Sequence, residues 1–398
     1  MDKRNSIRLK IGILSISTLL TAASAVSGTV PMMAHEFSNQ SSSQIQALIT
    51  IPSIAMMVFI LLSSLLIKFL GKRKTVLLGL TLGLIGGILP FFTNSFHLVQ
   101  IERFILGAGN GLYSTSTASL IGDLYEGDEQ RKLLGIQSAV QTLGQSFAIF
   151  TAGLLLGINW HAAYLVYLLF IPIIILFATG YTTKTEKWVA SQQEKTEEKD
   201  ISHKVPVLAL IAILLSFLYF NAIMPYQTDG ALAIAQLHLT HQGLFSTILA
   251  VSGIIGSIVT AFYSTIYRIF KHYTPVFIML LGVVGYIGMA HAVNILMYAI
   301  FMVITSSTAL IFPYIYGAVM EDVPANAKDF ALSIAKVFNN FGAFLSPYTM
   351  AMTGSLLGMK DPISILKIAA GYLVFIGIIF IVLAIIRNHR LNKEKGNN

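Results

Sequence analysis

The chain is written as long apolar runs broken by short polar or charged clusters. Bounded by those clusters and by turn residues, the runs predict membrane spans near 11–34, 44–70, 75–94, 98–122, 133–157 and 160–181. A second set falls near 205–227, 240–266, 274–292, 295–320, 330–357 and 363–386. A hydrocarbon layer of ~30 Å is crossed by about twenty helical residues at ~1.5 Å each, so each run is long enough to span. The longest polar segment, 182–204 (TTKTEKWVASQQEKTEEKDISHK), divides the spans six and six. It mixes both charge signs and reads as a solvated linker with room for a short helix on the inner surface.

The two sets repeat. KFLGKRKTV at 68–76 matches RIFKHYTPV at 268–276, where the second span of each set turns into the third. Asp123 faces Glu321 or Asp322, while Gly144 and Thr151 face Gly342 and Thr349. Offsets near 198–200 predict an all-α membrane protein of twelve transmembrane helices in two pseudo-symmetric six-helix bundles. The bundles are expected at 1–181 and 205–398, joined by a cytoplasmic linker at 182–204.

Composition agrees: of 398 residues, 55% are hydrophobic and 11% charged, against roughly 25% charged in soluble domains. The formal charge of +8 raises nucleic acid as a partner, but position argues against it. All but Arg103, Lys336, Lys360 and Lys367 of the 26 Lys and Arg fall in segments on one predicted side of the membrane. The positive-inside rule then puts both termini in the cytoplasm of a multi-pass plasma (cytoplasmic) membrane protein. The start, MDKRNSIRLK followed by an apolar run and Ala23-Ser24-Ala25, imitates a cleavable signal. Eleven further spans and a counterpart in the second set argue that it is retained. There are no cysteines, the nine His are scattered, and no metal-ligand, nucleophile or nucleotide-binding motif occurs. The expectation is a non-enzyme with no metal or cofactor.

The most informative stretch is 101–135, IERFILGAGNGLYSTSTASLIGDLYEGDEQRKLLG. Glu102 and Arg103 open about twenty uncharged residues, and burying them is expensive, so they should face protein or a wet cavity. They are the best candidates for ion coupling, with a structural pair or a snorkelling Arg as the plainer readings. Gly107, Gly109 and Gly111 let a neighbouring helix approach closely. Polar faces recur elsewhere: Ser17, Thr21 and Ser24 on span one; Gln137, Gln141 and Gln145 on span five; Tyr219, Asn221 and Tyr226 on span seven; Lys336, Asn339 and Asn340 on span eleven. Each could glue helices, but four polar stripes in repeat-related spans predict a substrate cavity. Within the predicted limits Glu102 is the only acid inside a span, with Arg103 and Lys336 as the buried cations.

These features resemble the major facilitator superfamily, whose twelve helices form two halves around a central substrate cavity. Arg103, Gly107, Gly109 and Gly111 look like its fourth-helix motif, which implies a part for the Arg in proton transfer. Gly71, Lys72 and Arg73 are similar to its loop between helices two and three, and Asp123, Arg131 and Gly135 to its turn after helix four. Together these imply gating by Gly71, Lys72, Arg73, Asp123 and Arg131. Ser63 and Ile67 depart from that loop, Ile67 standing where the family has an acid, so Asp123 is expected near Lys72 and Arg73 as the replacement counter-charge. Gly135, Gly144 and Gly153 fall at the helix-five spacing of drug–proton antiporters, with Ala148-Ile149 in place of that motif's Gly-Pro.

The resemblance implies a secondary transporter of the drug-efflux-like branch working by alternating access. The expected partners are a small amphipathic solute, an organic anion such as a bile salt, then protons or a counter-transported solute, and the lipid bilayer, with the chain as a monomer. A nutrient-uptake symporter and a non-transporting membrane sensor or binding subunit are the alternatives. Span one is charge-free, which weighs against the first; a longest polar segment of only about 23 residues weighs against the second.

Overall fold

The computed structural model describes residues 7–193, 207–239, 242–321, 323 and 328–396. Linker residues 194–204 and Asp322, paired above with Asp123, lie outside that set. The fold is all-helical, and the helices follow the twelve expected spans in order. Eight of the helices are long and apolar enough to cross a membrane by themselves among the described residues. The other expected spans (one, four, five and eleven) are those with polar stripes or interruptions. The chain separates into two units, Met1–His203 with Gln242–Ala250, and Lys204–His241 with Val251–Asn398.

In the first unit, span one is not a continuous helix. It runs as an α-helix over Ile7–Ser15, turns through 16–21, winds as a 3₁₀ helix over Ala22–Thr29 and resumes over Val30–Glu36. Its hydroxyls explain the interruption. Ser15, Ser27 and Thr29 bond back to the carbonyls of Gly12, Ser24 and Val26 at 2.8, 2.6 and 2.6 Å, offering the backbone alternatives to the α pattern. Span two, Ser42–Leu70, starts on a Ser41/Gln44 capping box and carries Pro52 inside. Having no N–H, Pro52 cannot bond the Leu48 carbonyl four residues back. Gly71, at φ +83°, makes the tight turn into span three, Lys72–Ile88.

Span four is Phe96–Ser114 continued by Ser116–Leu124, and glycines set its packing. A Cβ on Gly107 would lie 2.5 Å from Pro52 Cα, and one on Gly111 would lie 2.8 Å from the Met56 carbonyl. A Cβ on Gly109 would lie 2.5 Å from Gly83 N, and one on Gly79 2.7 Å from the Gly109 carbonyl. The expected role of these glycines in close helix approach is present on two sides of span four. Span five, Gly127–Leu155, begins with Asp128 and Glu129 at the positive end of its dipole. There Lys10 of span one reaches Glu129 at 2.5 Å. Gly144 packs on Thr18, and a Cβ on Gly153 would meet Ser246 Cβ at 2.5 Å. Gly135 corrects the expectation: it is exposed and nothing lies within 4 Å of a Cβ there, so helix packing gives no reason for it.

In the second unit the expected end of span seven at 227 is also corrected. The helix runs over Val207–Ile223, breaks at Met224, and continues over Pro225–Thr228 and Gly230–Gln236. Pro225 opens a new helical segment, where its missing N–H is harmless, and so extends the span instead of ending it. Asp229 is thereby carried inside, 1% exposed. The acid census of the spans therefore omitted one buried carboxylate.

Span eleven, Lys328–Leu357, packs on span seven: a Cβ on Gly342 would meet Asn221 N at 3.3 Å, beside the Phe217 carbonyl. Gly144 on Thr18 and Gly342 on Phe217 are the same contact repeated at offsets of 198 and 199. Thr183–Gln193 forms the short linker helix for which the polar segment left room.

Candidate functional site

Arg103 is fully buried, at 0% exposure, and does not snorkel. Its Nε donates to the Leu48 carbonyl at 2.8 Å, the acceptor that Pro52 leaves vacant. Nη1 donates to the Tyr167 hydroxyl at 3.0 Å, and Nη2 to the Ala23 carbonyl at 2.5 Å in the interrupted span one. The guanidinium also lies 5.9 Å from the centroid of the Tyr164 ring. Tyr167 in turn donates to the Ala22 carbonyl at 3.0 Å. Spans one, two, four and six thus meet on one cation whose recorded acceptors are neutral. An Arg suits this, since its fork of donors can serve several carbonyls at once.

Glu102 does not pair with Arg103. Adjacent helix positions point about 100° apart, and Glu102 accepts from the Thr93 hydroxyl at 2.6 Å. It is 7% exposed, and its second oxygen, Oε2, has no hydrogen-bond partner among the described residues.

The span-one and span-five polar residues come together in part. Thr21 donates to Gln145 Oε1 at 3.0 Å, and Gln145 Nε2 reaches Ser24 Oγ at 3.5 Å. Gln141, Thr21, Ser24 and Gln145 are all half-buried, leaving hydrogen-bonding capacity open. Gln137 is buried, and Ser17 is fully buried with no partner for its hydroxyl among the described residues.

The second-unit residues are more fully occupied. Tyr219 shares a 2.8 Å hydrogen bond with Thr308. Asn221 donates to the Gly342 carbonyl at 3.2 Å and accepts from Thr349 at 2.9 Å. Its backbone carbonyl, freed by Pro225, accepts from Ser346 at 2.7 Å. Asn339 accepts from Ser216 and donates to Tyr316 at 3.1 Å. Tyr226 accepts from Gln227 at 2.7 Å, and Asn340 donates back to the Lys336 carbonyl at 2.8 Å. Lys336 is half-buried, with no carboxylate within 4 Å among the described residues. Asn221, Asn339 and Tyr219 therefore join helices, whereas Lys336 has no ion-pair partner among the described residues.

At the basic end of the first unit, Lys72 donates to Asp123 at 2.5 Å and to Ser119 at 3.1 Å, so the expected proximity is present. Arg73 instead caps span six, donating to the Tyr181 and Ala178 carbonyls at 2.7 and 3.1 Å. Its own N–H is taken by Glu186 of the linker helix at 2.9 Å. Glu186 is the acid the sequence reading missed, because the linker's many charges gave it no distinguishing spacing. Among the described residues Arg131 pairs with exposed Asp128, three positions back on the same helix.

Comparison with known proteins places this geometry. The chain resembles "Protein TsgA homolog" of Buchnera aphidicola subsp. Acyrthosiphon pisum (strain APS), at 27% identity over 216 residues, 52% of this chain and 54% of that protein. The namesake from subsp. Schizaphis graminum (strain Sg) is 27% identical over 183 residues, 45% and 46% of the two chains. The match thus spans about half the length of these curated relatives. In fold it is similar to a nucleoside transporter, NupG, with TM-score 0.72 and 15% identity over 96% of this chain and 99% of that one. A D-xylose-proton symporter gives TM-score 0.70 and 15% identity over 92% and 96%. A variant of peptide transporter POT gives 0.73 and 14% over 95% and 94%. At such identities these structures show a shared fold, and none speaks for a drug-efflux branch. The Major Facilitator Superfamily model matches residues 12–347, most of the chain. With the fold and that match together, this multi-pass membrane protein belongs to the major facilitator superfamily.

Proposed function

We propose that the chain is a proton-coupled secondary transporter that exports a small amphipathic organic anion by alternating access. It would act as a monomer in the cytoplasmic membrane with both termini inside. The observation that carries this reading is the interrupted middle of span one. There the backbone leaves the α pattern for turns and a 3₁₀ helix, and solute sites of such carriers form at discontinuous helices. Half-buried Thr21, Ser24, Gln141 and Gln145 surround that interruption with unsaturated hydrogen-bonding capacity. In this reading Lys336 supplies the positive charge toward the anion, since an unpaired cation in a low-dielectric site is costly until an anion joins it. Arg103 is a positioning residue, holding span one at its 3₁₀ segment through the Ala23 carbonyl. Glu102, buried with one oxygen unpartnered, carries the coupling proton. Lys72 with Asp123, beside Gly71, Arg73 and Arg131, forms the inner gate.

The test uses protein reconstituted in liposomes under an imposed pH gradient, with labelled taurocholate as the anion and ethidium as the cation. Gradient-driven taurocholate movement, reduced at least about tenfold by Lys336→Gln, supports the proposal. Preference for ethidium, or taurocholate movement indifferent to Lys336→Gln, overturns the anion assignment. Reversing the gradient separates export from uptake by symport, the second reading.

A further inference from the structure

We propose that Asp229 is a second proton-binding carboxylate, one that ties protonation to opening of span seven. The inference rests on the transporter reading but uses different residues from those assigned above, all in the second unit.

Three observations point to it. Asp229 is 1% exposed directly after Ala209–Thr228, a stretch long and apolar enough to cross the membrane, and an ionisable group buried there carries a cost in desolvation. It occupies the single turn residue between the Pro225–Thr228 and Gly230–Gln236 segments, so it sits at a joint of span seven. Hydroxyls hold the backbone on both sides of the Pro225–Thr228 segment, and Asp229 itself. Tyr286 donates to the Ala222 and Ile223 carbonyls at 3.0 and 2.7 Å, Tyr298 to the Gly230 carbonyl at 3.1 Å, and Thr228 to Asp229 Oδ2 at 2.9 Å.

Among the described residues of the second unit, titratable groups approach this stretch of span seven from several helices, Asp361 at its far end bonding Gln236 at 3.0 Å. Span nine brings Tyr286 and span ten Tyr298, both fully buried and close enough to feel the Asp229 charge. On span seven itself, Tyr226 is bonded to Gln227. Spans eleven and twelve also pack here. From span twelve, Lys367 and Tyr372 line a separate groove with Thr353 and Phe375. On span eleven, Tyr348 is 38% exposed beside Phe344. Lys336 lies roughly 21 Å lower, counting ~1.5 Å per residue along the two helices from the Asn221–Gly342 bond.

The switch follows from hydrogen-bond inventory. As a carboxylate Asp229 only accepts; a proton taken from water makes it neutral and gives it one O–H to donate. That donor competes with Thr228 and Tyr298 for the acceptors at the joint, and the charge that opposed moving this segment through apolar surroundings is gone. Protonation therefore biases the joint between two arrangements, which is what coupling requires.

The absence of native cysteine makes the test direct, because one introduced thiol is the only one present. Ala233, 0% exposed and one turn beyond Asp229, becomes the reporter as Ala233→Cys. Val293→Cys, at a position 79% exposed, corrects for the pH dependence of maleimide chemistry. Both are labelled across pH in vesicles, with infrared spectra following the C=O stretch of protonated carboxylic acid. The expected result is a carboxyl band lost in Asp229→Asn, with corrected Ala233→Cys labelling that changes about tenfold over the same pH range and flattens in that variant. Labelling that still follows pH in Asp229→Asn, or an unchanged band, overturns the proposal. If Asp229→Asn does not fold, Asp229→Glu decides: a displaced midpoint supports the proposal and an unmoved one overturns it. No solute enters this assay, so failure of taurocholate transport and failure of this inference read out separately.

Discussion

The two units mend the same kind of damage with opposite chemistry. In the first, Pro52 leaves the Leu48 carbonyl without its helical donor, and the interrupted span one leaves others; a buried cation, Arg103, supplies the missing N–H groups. In the second, Pro225 strands the Asn221 carbonyl, and neutral hydroxyls of Ser346 and Tyr286 do the repair. Tyr167 on Ala22 and Tyr286 on Ala222 even act at an offset of 200, although the two phenols come from span six and span nine. A guanidinium has several donors in fixed geometry and no acceptor, so it pins rigidly; hydroxyls both donate and accept, so they can exchange partners. The contrast extends to the polar stripes through burial, with Gln145 half-buried against span one and Asn221 only 3% exposed against span eleven. A rigid break beside open polar groups suits solute binding, and an exchangeable one beside Asp229 suits switching.

The sharpest way to break this comparison is Arg103→Ala. It strands the Leu48 carbonyl, leaves Ala23 only a longer Tyr167 contact and takes away the N–H given to Tyr167, and should cost about 3–5 kcal/mol, read as a large fall in the thermal unfolding midpoint in detergent. Arg103→Lys should recover only part of that, having one nitrogen to serve separated acceptors. Wild-type-like melting of Arg103→Ala would mean the pin carries nothing. Next in size is Gly107→Ala, whose methyl would press on Pro52 and should destabilise by about 1–3 kcal/mol, whereas Gly135→Ala, in open space, should stabilise by about 0.5–1 kcal/mol.

The stripes are compared by truncating one residue in each. Asn221→Ala should cost about 1–3 kcal/mol by removing the buried bonds to Gly342 and Thr349; Gln145→Ala should stay within about 0.5 kcal/mol while weakening taurocholate movement. Equal stability losses in the two would erase the distinction between glue and open site.

The smallest effect concerns Asp361, which precedes span twelve outside the spans. Partial burial pushes its carboxyl up, but hydrogen bonds from Ser364 and Gln236 outweigh that and hold it below the ordinary carboxylate range. A depressed folded value means its contribution is full above the ordinary pKa and is lost as pH falls through the folded value. Acid titration of the melting midpoint should therefore be slightly shallower in Asp361→Asn at the lowest pH values, and parallel curves would remove Asp361 from the account.

Much of the fold was legible because lipid imposes a crude rule: a helix must be long and apolar, and charge gathers at its ends. That rule gave twelve spans, the six-and-six division and the 198–200 repeat, and it singled out Arg103, Gly107, Gly109 and Gly111 before any coordinates. It failed where a local signal has two meanings. Pro225 followed by Asp229-Gly230 reads as a chain leaving the membrane, yet Pro also starts helices, and only packing against spans nine to twelve shows which happened. Gly135 fits a motif spacing but touches nothing. Glu186 and Arg73, Glu102 and Thr93, Pro52 and Arg103 are partners across 9 to 113 positions of chain, and no periodicity encodes such pairs. The sequence by itself determined that this is a twelve-span membrane protein with a buried Arg and a repeated half, because hydropathy and helix geometry act locally. Only the tertiary structure decided that the Arg serves neutral carbonyls, that Glu102 stands apart from it and that Asp229 lies inside, because which donor meets which stranded acceptor depends on how separate helices stack.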